Sequence, residues 1–282
     1  MAFGYFPRRS WLRILKYPIR EFLDWKRGQD NLIKRMHVEE TFRLLDLSKT
    51  DDVLELGAGG MHYTGEIAKC VNHITALDHV EGFGGNLRIF RFPDNIKCIK
   101  GDVHDLPFED NSFDKCFISE VFSVIPHPEQ CLAEVYRVLK PGGMLLKVHG
   151  DAYPNLEKAA QTEKGKAILA QAKERWGIKV DPKSLRQNLF ATHSTNPDFF
   201  EDLEGTILSL FKNAGFTVDE VSWKIGEKAQ IEYCYLMFEA LVQTGKPILE
   251  AGQVEHLNQL KEIDQSDMPY KRGFTMFCKG HK

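Results

Sequence analysis

The chain has 282 residues, of which 43% are apolar and 27% charged, a balance that excludes wholesale disorder and allows a large core. With 37 basic and 40 acidic side chains the net charge is −3, which argues against a surface built to bind nucleic acid. No run of side chains approaches the roughly 18 apolar residues of a membrane span.

Residues 1–27 differ from the rest. Seven basic side chains (Arg8, Arg9, Arg13, Lys16, Arg20, Lys26, Arg27) stand against Glu21 and Asp24, a local charge of +5. Seven aromatics are interleaved with them: Phe3, Tyr5, Phe6, Trp11, Tyr17, Phe22 and Trp25. The basic residues interrupt any hydrophobic core, so a secretory signal is not expected. Pro18 divides the segment into two short predicted helices. Two roles compete for residues 1–29: a lid over the site, with basic tips in water, or a segment lying on a membrane surface.

Helical spacing over 30–46 runs through Leu32, Ile33, Met36, Phe42 and Leu45. Val53-Leu54-Glu55-Leu56 is a predicted strand entering Gly57-Ala58-Gly59-Gly60, and Ile67 and Val71 mark a helix after it. Predicted strands follow at 73–78, 96–100 and 113–119. A helix over 128–139 is ended by Pro141-Gly142-Gly143, and Met144 to His149 forms a fifth strand. Strands alternating with helices imply a doubly wound, mainly parallel α/β sheet with helices on both faces. After residue 150 the alternation loosens. Residues 151–196 are polar and helix-prone, 199–214 an amphipathic helix, 215–218 the start of a strand, and 273–278 a last strand. About 45 residues of helix are expected between those two strands. The six cysteines form no CxxC pair, and the closest two are 15 residues apart. They read as free thiols in a reduced, cytoplasmic protein without a metal cluster.

Gly57-Ala58-Gly59 follows a strand, where glycine lets a ligand approach the backbone. His62 stands where the dinucleotide pattern GxGxxG needs its third glycine, so a nicotinamide cofactor is not expected. Four features accompany the loop. Glu55 precedes it, and Asp78 ends the second strand, where a carboxylate can bind both ribose hydroxyls. The stretch Gly101-Asp102-Val103-His104-Asp105-Leu106-Pro107-Phe108 follows the third strand, and Leu139-Lys140-Pro141-Gly142-Gly143 precedes the fifth.

This ordered set resembles the class I S-adenosylmethionine-dependent methyltransferases, in the small-molecule branch related to the quinone C-methyltransferases. The resemblance covers residues 50–150 well and the C-terminal strands loosely. It implies a seven-stranded Rossmann-like sheet, N-terminal helices, and a methyltransferase domain over 30–282 with substrate-cover insertions at about 151–196 and 224–271. It implies that Glu55, Gly57, Ala58 and Gly59 line the methionine part of S-adenosylmethionine and that Asp78 holds the ribose hydroxyls. His79 then lies beside the adenine, Asp102 and Val103 meet its edge, and Ser119 faces the sulfonium. The family usually has glycine where Met61 stands, and Gly60 is expected to replace it through a shifted turn. It often has two histidines where Ser123 and Val124 stand.

In open parallel sheets ligands sit beyond the carboxyl ends of the strands. That rule nominates Glu120, after the fourth strand, and His149 and Asp151, after the fifth, as candidate bases. Histidine titrates nearest neutrality, although His149 can also be read as a hydrogen-bonded strand-end residue. Trp223, Tyr233, Tyr235 and Phe238 are either walls of an apolar pocket or simply core. The expected partner is a small-molecule acceptor. A lipid or quinone at a membrane surface, and a binding module that no longer catalyses, are the alternatives.

Overall fold

The computed structural model describes residues 32–61, 63–80, 93–122, 124–150, 156–177, 202–245, 254–266 and 275–282. The first helix, α1 (Leu32–Leu45), leads into β1 (Asp52–Leu56) and the short α2 (Thr64–Ala68). The alternation continues through β2 (His73–Asp78), β3 (Ile96–Lys100), β4 (Phe113–Ser119), α3 (Pro128–Val138) and β5 (Leu139–Gly150). Then come α4 (Leu156–Gln161), α5 (Glu163–Trp176), α6 (Leu203–Asn213), β6 (Thr217–Lys224), α7 (Glu227–Thr244), α8 (Val254–Ser266) and β7 (Thr275–His281).

The seven strands form one sheet in the order β3-β2-β1-β4-β5-β7-β6. β1 to β5 are parallel, and β7 runs antiparallel to both β5 and β6. Chain order reverses between β1 and β4, so the crevice for a ligand opens above their carboxyl ends. The sheet matches the doubly wound, seven-stranded expectation.

Period-two alternation along the strands divides the core into two layers. Leu54, Leu56, Cys116, Ile118 and Leu145 face α3 and α6 and pack with Leu132, Val135, Ile207 and Phe211. Val53, Phe117, Leu146, Val148 and Phe277 face α1 and α2 and pack with Leu44, Leu45, Tyr63 and Ile67. The expected boundaries hold within a few residues, with one difference. β5 begins at Leu139 rather than Met144, because Gly142 N–H donates to Lys282 O at 3.1 Å and Lys282 N–H to Gly143 O at 3.0 Å. The Pro-Gly-Gly turn is thereby drawn into the sheet as an irregularity opposite Phe113/Lys115.

The segments after β5 and between β6 and β7 start from the same end of the sheet, since Gly150, Lys224 and Thr275 lie in register across β5, β6 and β7. Their helices share a core of their own: Ala159, Ile168, Ala229, Tyr233, Tyr235, Met237, Phe238 and Leu260, with Met36 from α1. Tyr233, Tyr235 and Phe238 therefore belong to the core of this helical layer, while Trp223 packs against the main core with its Nε1–H on Glu204 at 3.0 Å. The junction into α7 is tight. Ile225 is buried with φ 63°, Gly226 N–H donates to Asp264 of α8 at 2.7 Å, and Gln230 donates to Ile225 O at 2.7 Å. Residues 1–31 and 178–201, and with them the expected N-terminal lid, lie outside the described residues.

Candidate active site

The loop after β1 turns sharply because three residues take positive φ: Gly57 at 67°, Gly59 at 47° and Met61 at 57°. Met61 adopts the left-handed conformation itself, so the expected shifted turn through Gly60 does not occur. Burial of its side chain offsets the backbone penalty of about 1–2 kcal/mol for an L-residue there. Gly57 N–H donates to Leu77 O at 2.8 Å, tying the loop to β2. A Cβ on Gly57 would lie 2.2 Å from Val121 Cγ2, whereas one on Gly59 would meet, among the described residues, only Gly57 O, at 3.8 Å. Among the described residues the loop is thus packed on its Val121 side and unobstructed at Gly59.

Asp78, buried at the carboxyl end of β2, holds this loop. Its Oδ2 accepts Gly59 N–H at 2.8 Å, and its Oδ1 accepts Val80 N–H at 3.1 Å and lies 3.2 Å from His79 Nδ1. Glu55 is buried one strand away and accepts the Thr64 hydroxyl at 2.6 Å. Burial pushes the Glu55 carboxyl up to about 7; Thr64 opposes that rise and the Asp78 charge adds to it. Two carboxylates thus converge at the β1/β2 end of the crevice, beside a glycine loop.

Asp102 lies beyond β3, where it accepts His104 N–H at 2.9 Å and sits 2.6 Å from His104 Nδ1. The His104 backbone and side-chain hydrogen bonds hold the Asp102 carboxyl below its ordinary range, and His79 acts on it through space. His104 Nε2 lies 2.6 Å from Pro126 O, which links this turn to the loop after β4. Val103 is buried in the main core. Ser119, Glu120 and His149 lie at the carboxyl ends of β4 and β5, with His149 buried. The Tyr63 hydroxyl bonds Ser119, and burial raises its pKa. Glu120 takes φ 59° and donates its N–H to Val148 O at 3.0 Å, with its side chain half exposed.

His149 Nδ1 lies 3.8 Å from Glu120 Oε2, so the structure brings the two candidate bases together. Burial and then the Lys147 charge hold His149 well below the ordinary histidine range. Lys147 is a residue that sequence reasoning missed. It is fully buried, donates to Val148 O at 2.6 Å, and stands 3.4 Å from His149 Nδ1. Its signal was present as a lysine inside the otherwise apolar run Met144 to Val148 of a central strand. Asp151 and His62 lie outside the described residues, as does Ser123.

A second crevice, of about 270 Å³, is lined by Met36, Glu39, Glu40, Arg43, Lys224 and Lys261 among others, at the α1–α8 junction. Arg43 pairs with Glu40 and Glu220, and Lys261 with Glu39, so its charges are internally balanced. No group of metal-ligating side chains occurs among the described residues.

The sheet order, with β7 antiparallel between β5 and β6, is the fold of the class I S-adenosylmethionine-dependent methyltransferases. Residues 54–146 match the family model described as "Methyltransferase domain". Demethylmenaquinone methyltransferase of Listeria welshimeri is 34% identical over 123 residues, covering 39% of this chain and 51% of the relative. Ubiquinone/menaquinone biosynthesis C-methyltransferase UbiE of Brucella canis is 41% identical over 78 residues, covering 26% and 29%. The chain thus spans about half the length of the first of these relatives, and less of the second. Among solved structures, an S-adenosylmethionine-dependent methyltransferase from Mesorhizobium loti superposes with a TM-score of 0.53 at 15% identity, covering 89% of this chain and 98% of that one. The [4+2]-cyclase SpnF superposes at 0.52 and 15% identity, covering 88% and 80%. These likenesses establish the fold, and a fold alone does not fix a reaction.

The residues present fit the cofactor of this class. Among the described residues, the glycine loop and the buried carboxylates Glu55 and Asp78 form a polar set at the crevice that can accept hydrogen bonds from an ammonium or ribose hydroxyls.

Proposed function

We propose that this protein methylates a small hydroxylated acceptor of the quinol type, using S-adenosylmethionine. The observation that carries this reading is the Asp78 carboxylate, held at the β1/β2 crevice against the glycine loop. The names of the relatives support an acceptor of quinone type. When bound, S-adenosylmethionine supplies an electrophilic methyl on a positive sulfur, open to in-line attack.

The chain's own residues have three tasks. Glu55, Gly57, Ala58 and Gly59 bind the methionine end, Asp78 the ribose, His79, Asp102 and Val103 the adenine, and Ser119 borders the methyl. Orientation and exclusion of water do most of the catalysis. The Glu120–His149 pair receives the proton when the acceptor hydroxyl must ionise before attack. Residues 1–29 close over the crevice as a lid, and the α4–α5 and α7–α8 helices cover the acceptor side.

The test is a turnover assay with S-adenosylmethionine and a panel of hydroquinones and catechols, read by mass spectrometry of the products. One added methyl on a panel member supports the reading. Tight cofactor binding with no methylated product from any panel member favours the binding-module reading instead.

A further inference from the structure

The loop after β4, from Glu120 to His127, meets the rest of the crevice at two separate places. At its start Val121 packs against Gly57, so closely that a Cβ on the glycine would lie 2.2 Å from Val121 Cγ2. Near its end Pro126 O stands 2.6 Å from His104 Nε2. Two non-glycine residues in the left-handed region bound the loop, Glu120 at φ 59° and His127 at φ 51°. Such a backbone persists only where surrounding contacts fix it. Those contacts include Glu120 N–H on Val148 O and Val124 N–H on Val121 O, both at 3.0 Å, and the His104 bridge.

His104 reaches out from a turn that is itself anchored on both sides. Gly101 N–H donates to Asp78 O at 3.0 Å, and Leu106 N–H to Glu134 of α3 at 2.8 Å. Within the turn, Asp102 Oδ1 accepts His104 N–H at 2.9 Å and stands 2.6 Å from His104 Nδ1. A carboxylate and a carbonyl are both acceptors, so the ring bridges them with an N–H on each nitrogen, as an imidazolium carries. The Asp102 side chain is 68% exposed and that of His104 only 18%. The carboxylate is thus open to a ligand, while the histidine that holds it is largely covered.

We infer that His104 is a positioning residue that braces the loop after β4 against the Asp102 turn, so that adenine binding and the placement of Glu120 are set together. The brace is a property of the chain, and its link to adenine and to Glu120 rests on the proposed methyl transfer. A ligand on Asp102 steadies the turn, and through His104 and Pro126 O it steadies the loop. By linkage, the factor by which the ligand favours the braced loop is the factor by which the braced loop favours the ligand.

Two substitutions divide the bridge. His104→Asn keeps an amide N–H where Nδ1 stands, beside Asp102, and is too short to reach Pro126 O. His104→Gln reaches the place of Nε2 and keeps the donor to Pro126 O. Hydrogen exchange of the full chain, read at the Glu120 and Val124 amides, tests the brace without turnover, with S-adenosylhomocysteine as the probe. His104→Asn is expected to speed exchange at both amides by about 2- to 10-fold, the worth of one hydrogen bond, and His104→Gln to restore it. With the probe shown bound by calorimetry, the same amides should slow further in the wild type, and that added slowing should vanish in His104→Asn. Unchanged exchange in His104→Asn, or a wild-type loop that ignores the bound probe, overturns the inference. Should His104→Asn not fold, the wild-type response to the probe decides alone. If the probe does not bind, the proposed function fails and the contrast between Asn and Gln in the free protein decides the brace. In turnover, His104→Asn should lower kcat and His104→Gln should return it; an equal loss of kcat in both overturns the placement of Glu120 through Pro126. The expected exchange pattern with no methylated product would reject the proposed function and leave the brace standing.

Discussion

Asp78 Oδ2 accepts the amide proton of Gly59 at 2.8 Å, so the carboxylate expected to hold the cofactor's ribose also fixes the shape of the loop beneath it. Asp78→Ala should remove one or two charge-assisted hydrogen bonds, each worth about 1.5–3 kcal/mol. Calorimetry should then give S-adenosylmethionine affinity at least about tenfold weaker. Unchanged affinity would take Asp78 out of the site.

Glu55 has its carboxyl raised by burial to about 7, against an ordinary 4.5. The folded state therefore holds the proton more tightly than the unfolded chain. Stability contributed by this group falls as pH rises from about 4.5 to about 7, and the loss is complete above that, at roughly 3 kcal/mol. Glu55→Gln keeps an acceptor for Thr64 and removes the charge. It should melt higher than wild type at neutral pH, with the gap closing toward about pH 4.5, while binding the cofactor's ammonium more weakly. A gap that does not vary with pH would contradict the assignment.

Gly57 and Val121 are the closest approach around the loop, since an added Cβ would come within 2.2 Å of Val121 Cγ2 at φ +67°. Gly57→Ala should destabilise by about 1–2 kcal/mol from the backbone and a further 1–3 kcal/mol from overpacking. Adding Val121→Ala should recover part of the second term, seen in denaturant melts as a favourable coupling. Strict additivity would show that the two positions do not clash.

Asp264 reaches from α8 to the Gly226 N–H at the start of α7, across the junction where Ile225 is strained. Asp264→Ala leaves that donor buried and should cost about 1–3 kcal/mol. Hydrogen exchange at Gly226 and the first turn of α7 should accelerate. Unaltered protection there would mean that α8 does not secure the start of α7.

Much of this was legible in the sequence because the relevant signals are local. The strand Val53–Leu56, the glycine loop and Asp78 follow from alternation, φ requirements and strand-end position. Lys147, Thr64 and Tyr63 were not legible as site residues, because their roles depend on which strand or helix lies opposite. Thr64 matters only once α2 sets it 2.6 Å from Glu55, and Lys147 only once β4 and β7 flank it. Met61 defied the family pattern because burial of its side chain offsets the backbone penalty. Trp223, Tyr233, Tyr235 and Phe238 were ambiguous since a pocket wall and a packed core share one composition.

The most direct measurement is turnover with S-adenosylmethionine bearing a deuterated methyl group, comparing the full chain with one lacking residues 1–27. The account predicts that the full chain puts the labelled methyl on a soluble hydroquinone. It predicts that the shortened chain does so more slowly and binds cofactor more loosely, with no lipid present. No labelled product from the full chain would contradict the central claim. Full activity of the shortened chain, with salt-reversible pelleting of the full chain on anionic vesicles, would replace the lid by a membrane contact.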